Sequence, residues 1–454
     1  MITEYEITKA MRFRPRGFEH ISFKNEEFTR AFLNCLDDSV PVTLISGLAG
    51  SGKSEIYKMV AEILRDDALC LATTGRAATN LETRHVVPRT VHSGMHIPMM
   101  PFIDDSRLFK KCVDSLYNKT AVLIDEASML SSNTLDTIIR HINYVSSQRK
   151  RRIKLILTYD MEQLPAVFDA EKLKLVIKDI PDLKNRWPFL ESKELARLRC
   201  ESFDLTEVHR QSDPVYKDVL SRCRTGNVTE HDLKYINSHI GSPKPGALLV
   251  ASTNEEVNTL NKLYLDSLRK EGEPYDFEAE VLIPGRIKDS GFTEHVELFS
   301  GERVIVTRNV YDKESDRLLA PNGLCGNVAY FEMTDFGLRP VICTDDGREI
   351  LIPKLQFDEI ELEKDEDGRY REVVVASAMQ IPLRAMRALT VHRVQGMSVD
   401  SLHVYPPKYV TPHLMYVALS RIRNPENLTL EGPVTKTMFS THETPNIGHT
   451  PMTR

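Results

Sequence analysis

The chain has 454 residues, 41% of them apolar, with 59 Lys and Arg against 65 Asp and Glu for a formal net charge of −6. That is length and apolar content for about three domains with real cores, and it excludes a chain-wide basic field, so any polyanion must be held in a local positive groove. Seven scattered cysteines (Cys35, Cys70, Cys112, Cys200, Cys223, Cys325 and Cys343) contain no C-x-x-C pair, so reduced core thiols are expected and zinc is not. The first residues, MITEYEITKAMRFRPRG, lack the apolar centre of a signal peptide, and no apolar run approaches the roughly 20 residues that span a bilayer. A soluble protein of the cytoplasm, with no membrane partner, is expected.

In chain order, residues 26–36 predict an amphipathic helix with Phe28, Ala31, Phe32 and Cys35 on one face. Val42 to Ser46 predicts a short buried strand, followed by a Gly-rich turn and a helix carrying Ile56, Met59, Val60 and Ile63 inward. Further strands are predicted at Leu69–Ala72, Ala121–Ile124 and Arg152–Thr158, an alternation that argues a parallel α/β sheet. The run Arg149-Lys150-Arg151-Arg152 reads as a solvated loop. From about Glu297 the texture changes to six short strands, near 302–308, 327–333, 339–344, 348–352, 357–363 and 370–377, with Asp346-Gly347 and Asp367-Gly368 at turns that need positive φ. They suggest a small antiparallel barrel inserted into a second α/β unit, which resumes near Leu383. Thr411-Pro412 fits an N-cap followed by proline in the first turn, and 431–454 reads as a flexible tail.

The strongest chemical signal is Gly47-Leu48-Ala49-Gly50-Ser51-Gly52-Lys53-Ser54, a complete G-x-x-x-x-G-K-[ST] between a strand and a helix. Its backbone N–H groups converge on phosphate oxygens at the positive end of the helix. Gly47, Ala49, Gly50, Ser51, Gly52, Lys53 and Ser54 are therefore candidate nucleotide contacts, with Lys53 on the β and γ phosphates and the Ser54 hydroxyl on Mg²⁺. Such a loop needs a carboxylate on a neighbouring strand. Asp125 ends the apolar run Ala121–Ile124 and is the second candidate Mg²⁺ residue, and Glu126 beside it is placed to position and deprotonate an attacking water. Up to this point the residues argue ATP hydrolysis and nothing about what it drives.

Seven ordered blocks between about 44 and 423 carry more. Following the P-loop, they are Ala72-Thr73-Thr74-Gly75-Arg76-Ala77-Ala78, Thr90-Val91-His92-Ser93, Asp125-Glu126-Ala127-Ser128-Met129, Asp160-Met161-Glu162-Gln163-Leu164-Pro165-Ala166-Val167, Leu205-Thr206 with Arg210-Gln211, Thr390-Val391-His392-Arg393-Val394-Gln395-Gly396, and Tyr416-Val417-Ala418-Leu419-Ser420-Arg421. Together they resemble the signature of superfamily 1 DNA helicases of the RecD-like and Pif-type branch, Dda-like phage helicases included. The resemblance implies an α/β fold of two RecA-like P-loop motor domains, with a small antiparallel SH3-like β-barrel inserted in the second. The corresponding boundaries are 1–170 for the first motor domain with a wedge-like insertion near 94–102, 171–296 and 381–430 for the second, 297–380 for the insert and 431–454 for the tail.

The resemblance also implies roles. Gln163 would sense the γ-phosphate, and Arg210 and Arg421 would reach the nucleotide from the second motor domain, bonding phosphate oxygens as arginine fingers do. Thr74, His92, Thr390, His392 and Asn254 match single-strand contacts, although the threonines and histidines fit turn or capping positions equally well. Pro98, Met99, Met100 and Pro101 fall where the family splits duplex, and a loop packed on its own domain accounts for them as well. There are departures: Glu27 stands where a glutamine that reads adenine is expected, Tyr159 replaces a glycine, and Thr73 and Ala166 replace prolines. Nothing explains Glu55 after Ser54. The expected activity is an ATP-dependent helicase moving 5′ to 3′ on single-stranded DNA and opening duplex junctions, with replication or repair proteins as partners. A DNA-stimulated translocase with little unwinding and a small-molecule kinase are the competing readings.

Overall fold

The computed structural model describes residues 3–48, 50–97, 106–162, 191–207, 213–289, 291–312, 318–345, 347–364, 370–408 and 411–441. Six strands form a parallel sheet in the order β3-β2-β4-β5-β1-β6: β1 (Val42–Gly47), β2 (Ala68–Ala72), β3 (Arg89–Thr90), β4 (Ala121–Asp125), β5 (Lys154–Thr158) and β6 (Cys200–Leu205). β4 and β5 are buried along their whole length, as strands covered on both faces must be. One face packs on the helices Glu26–Cys35 and Lys53–Leu64 through Phe32, Ile45, Ile56 and Met59, and the other on Ser132–Arg149 through Val42, Leu155, Ile138 and Ile142.

A second parallel sheet has the order β20-β7-β21-β22, from β7 (Leu248–Ala251), β20 (Ala388–Thr390), β21 (Leu402–Val404) and β22 (Leu428–Leu430). Between β7 and β20 the chain leaves for antiparallel structure: β8 (Tyr275–Glu278), β9 (Glu280–Ile283), β10 (His295–Leu298), β11 (Arg303–Val306), β12 (Val310–Tyr311), β13 (Leu318–Ala320), β14 (Cys325–Thr334), β15 (Gly337–Thr344), β16 (Glu349–Leu351), β17 (Leu355–Lys364), β18 (Tyr370–Gln380) and β19 (Leu383–Ala385). These pair as a five-stranded sheet β16-β15-β14-β11-β19, a three-stranded sheet β17-β18-β9, and the pairs β10-β8 and β12-β13. Phe277, Val304, Val328, Ile342 and Leu383 share one core.

Several boundaries differ from those read in the sequence. The first α/β unit does not end at 170, because β6 adds to β1 in parallel, Val42 facing Cys200 through Gly47 facing Leu205. The antiparallel part starts at Tyr275 rather than 297, since β9 pairs with β18 and β8 with β10, and it runs on through β19, which pairs with β11. The parallel sheet therefore resumes at Ala388, not Leu383. Thr411-Pro412 does not open the next helix. That helix spans Leu414–Leu419, with His413 in the left-handed region at its N-cap and its N–H on Ser440 O at 2.9 Å. Residues 431–441 are not a loose tail: Val434 and Phe439 are 2% exposed in the core of the second unit, and Asn237 Nδ2 donates to Val434 O at 3.0 Å. The Asp367-Gly368 turn, residues 98–102 of the expected wedge and 442–454 lie outside the described residues. No helix among the described residues is long and apolar enough to cross a membrane.

Candidate functional site

The P-loop bridges the C-terminal end of β1 and the helix Lys53–Leu64. Its turn needs glycine for two separate reasons. At Gly47 (φ +151°) a Cβ would lie 2.6 Å from Leu205 O, and at Gly52 (φ +97°) it would lie 2.9 Å from the Phe28 ring. Gly50 is also in the left-handed region, and Ser51 is buried with its Oγ meeting no hydrogen-bond partner among the described residues. Lys53 is 8% exposed, and its Nζ donates to Gly47 O at 2.7 Å and Leu48 O at 3.0 Å, so the ammonium sits across the loop. The Ser54 hydroxyl is 3.5 Å from Asp125 Oδ2 at the end of β4, and Thr158 at the end of β5 donates to Asp125 Oδ1. This is a hydroxyl and carboxylate pair of the kind a hydrated divalent cation takes.

Glu126 follows in the left-handed region (φ 55°), at the N-cap of the short turn Ala127–Met129. Among the described residues one carboxylate oxygen, Oε2, is buried without a hydrogen-bond partner. Burial, and then the charge of Asp125, push the Glu126 carboxyl up to about 7, against the pull of Lys53 and Arg421. Burial raises Asp125 too, opposed by the Thr158 hydroxyl and Lys53. A carboxyl poised near neutrality is suited to take a proton from water.

These groups line a cleft of about 1120 Å³ between the two α/β units. Gly50, Gly52, Lys53, Ser54, Asp125 and Glu126 form one wall, and Gly396, Met397, Arg421 and Arg423 come from the other unit. Arg421 is 1% exposed and is braced by its own helix, Nε on Val417 O at 2.9 Å and Nη2 on Ser420 Oγ at 2.6 Å. Ala49, Gln163 and Arg210 lie outside the described residues.

The expected strand-contact residues all follow C-terminal strand ends, Thr74 after β2, His92 after β3, Asn254 after β7, and Thr390 with His392 at the end of β20. Thr74 and Thr390 are N-caps, accepting from Ala77 N and Arg393 N, so their second lone pair and hydroxyl proton are what remain for a ligand. His92 Nδ1 is 3.3 Å from Ile97 O, burial lowers the His392 pKa, and Asn254 is exposed at the start of the Asn254–Leu268 helix. Glu27, at the adenine-reading position, takes Thr206 N at 3.2 Å and Thr206 Oγ1 at 3.0 Å on its Oε2, tying the end of β6 to the helix Glu26–Cys35.

Sequence reasoning missed the contacts that join the two units. Arg224 Nη2 meets the fully buried Asp160 Oδ1 at 3.2 Å, His413 Nδ1 lies 3.2 Å from Glu162 Oε2, and Asn80 Nδ2 donates to Gly396 O at 3.4 Å. Arg224 ends a helix as many surface arginines do, so no spacing marks it.

An AAA domain family model matches residues 25–185. The chain is 28% identical over 407 residues to the ATP-dependent DNA helicase Pif1 of Bdellovibrio bacteriovorus, covering 86% of this chain and 83% of that one. It is 28% identical over 427 residues to the ATP-dependent DNA helicase PIF6 of Trypanosoma brucei, where 85% of this chain spans 50% of the relative. In three dimensions it is similar to the crystal structure of Pif1 helicase from Bacteroides in complex with ADP-AlF3 and ssDNA, with a TM-score of 0.75, 23% identity, and 91% and 94% of the two chains covered.

Proposed function

We infer that this chain belongs to the Pif1-type branch of superfamily 1 helicases and that it is an ATP-dependent DNA helicase, moving along single-stranded DNA and unwinding duplex. The observation that carries the reading is the cleft: P-loop, Asp125 and Glu126 on one α/β unit face Arg421 on the other. A triphosphate bound there touches both units, so its hydrolysis changes the force between them. Each unit is read as a RecA-like motor domain, and the antiparallel part as an SH3-like insert that flanks the strand.

Within the cleft, Lys53 leaves the loop carbonyls for the phosphate oxygens, and Ser51 Oγ gains the partner it lacks. The Ser54 and Asp125 oxygens fit a hydrated Mg²⁺, which when bound neutralises charge on the β and γ phosphates. Glu126 orients the attacking water and accepts its proton on the unpartnered Oε2. Arg421 stabilises negative charge as the terminal phosphate departs, and Gln163 and Arg210 are proposed to sense and clamp the same phosphate. Thr74, His92, Asn254, Thr390 and His392 sit on the C-terminal edges of both sheets, where a strand crossing the two units meets each in turn. Contacts of this kind follow the sugar-phosphate backbone without reading bases.

Strand displacement on partial duplexes with either a 5′ or a 3′ overhang, with and without ATP, tests activity and polarity together. ATP-dependent opening of the 5′-overhang substrate is expected. Opening of the 3′-overhang substrate alone reverses the assigned polarity, and hydrolysis indifferent to DNA refutes the motor.

A further inference from the structure

The helix Gly75–Asn80 touches more of the molecule than its six residues suggest. Arg76, Ala77 and Asn80 form part of the wall of the nucleotide cleft. Arg76 Nη1 donates to Gly323 O and lies 3.4 Å from Cys325 Sγ, so the guanidinium reaches from the first α/β unit into the antiparallel insert. Asn80 Nδ2 donates to Gly396 O of the second unit at 3.4 Å. One short helix thus borders the cleft, the insert and the second unit.

The contact with the insert is close and stiff. A Cβ on Gly75 would lie 2.6 Å from Asn309 Oδ1, the atom that accepts Asn322 N at 2.7 Å. A Cβ on Gly323 (φ +91°) would lie 3.3 Å from Arg76 Cβ and 3.4 Å from Arg76 Cδ. The turn that holds Gly323 is itself fixed to β11, with Gly323 N on Val306 O and Val306 N on Leu324 O, both at 2.8 Å. A push on this turn therefore moves the five-stranded sheet as a body. The insert is covalently part of the second unit, so a motion that carries the turn at Gly323 away from the helix Gly75–Asn80 stretches or remakes the Arg76 bond. Among the described residues Arg76 Nε is meanwhile buried without a hydrogen-bond partner, and an unmet buried donor gains from a rearrangement that brings it an acceptor.

We propose that Arg76 is the positioning residue that couples the nucleotide cleft to the antiparallel insert, so that movement of the cleft wall is delivered to the strand through the turn at Gly323. This rests on the motor reading above. It assigns Arg76 no contact with the reacting atoms. Its effect appears in how much work each ATP does.

The test uses the full chain and measures base pairs opened per ATP hydrolysed on a 5′-overhang duplex, with single-strand affinity measured in parallel. Arg76→Ala is expected to lower that ratio about fivefold or more, within the range that residues along a coupling route give. Arg76→Lys is expected to lower it too, because the lysine side chain ends short of the Nη1 position that meets Gly323 O. Asn309→Ala approaches the contact from the insert side, away from the cleft, and is expected to shift the ratio in the same direction. Hydrolysis and unwinding falling in parallel, with the ratio unchanged in Arg76→Ala, would overturn the proposal. So would a normal ratio in Asn309→Ala beside a failed Arg76→Ala, since Arg76 would then act on the cleft alone. The motor reading is judged separately, on the unmodified chain: absence of DNA-stimulated hydrolysis there overturns both.

Discussion

Replacing Glu126 by glutamine separates chemistry from stability in one residue. The carboxyl titrates at about 7 in the folded chain against an ordinary 4.5, because burial and Asp125 disfavour its charged form. A raised folded pKa means that the folded chain holds a proton that the unfolded chain has already released. Its contribution to stability is complete below pH 4.5 and is lost as pH climbs through about 7. At about 1.4 kcal/mol per pH unit, the loss across that window is roughly 3 kcal/mol. Glutamine keeps the shape and cannot ionise, so Glu126→Gln should lie within about 1 kcal/mol of the parent at pH 5 and exceed it by about 3 kcal/mol at pH 8. Hydrolysis should fall by about 100-fold or more, the usual yield of a positioned general base, while nucleotide and DNA still bind. Urea denaturation at pH 5 and 8, paired with single-turnover hydrolysis, measures both. Unfolding curves that keep a constant offset between the two pH values would refute the electrostatic argument, and near-normal turnover would remove Glu126 from the base position.

Arg421→Ala should keep nucleotide binding and lose DNA-stimulated hydrolysis by about 1000-fold, the scale of an arginine finger; a rate within threefold or so of the parent excludes that role. Gly47→Ala should destabilise the chain by about 1–3 kcal/mol in a denaturant melt, because the added methyl meets a backbone carbonyl that cannot swing aside. Gly241→Ala, with nothing within 4 Å of its Cβ, is the control and should melt with the parent.

The parts of this molecule that were legible in its sequence are those whose cause is local. A phosphate cradle needs its glycines, lysine and hydroxyl in one turn, and Gly47 to Ser54 form that turn between β1 and a helix. Asp125 had to end a buried strand, and β4 is buried throughout. The β15–β16 and β17–β18 pairings were visible because alternation and turn residues sit next to each other in the chain. What stayed hidden depends on distant partners. Residues 431–441 look polar, yet Val434 and Phe439 seat in a core built from Tyr216, Leu402 and Tyr416. β9 is exposed along its whole length and carries no inward face to read, so only its pairing with β18 assigns it to the insert. The Asp160–Arg224 bond joins groups 64 residues apart, and no spacing rule reaches across such a gap.

The late arrival of β6 bears on how the polypeptide is made. β1 carries the phosphate cradle, yet one of its two neighbours, β6, begins only at Cys200, so that side stays bare until the ribosome has passed Leu205. Pairing across such separations is slow, and an unpaired strand edge invites association with other chains. A truncated product ending at 185 would display that edge permanently, so soluble expression of the first lobe calls for a stop codon placed after β6.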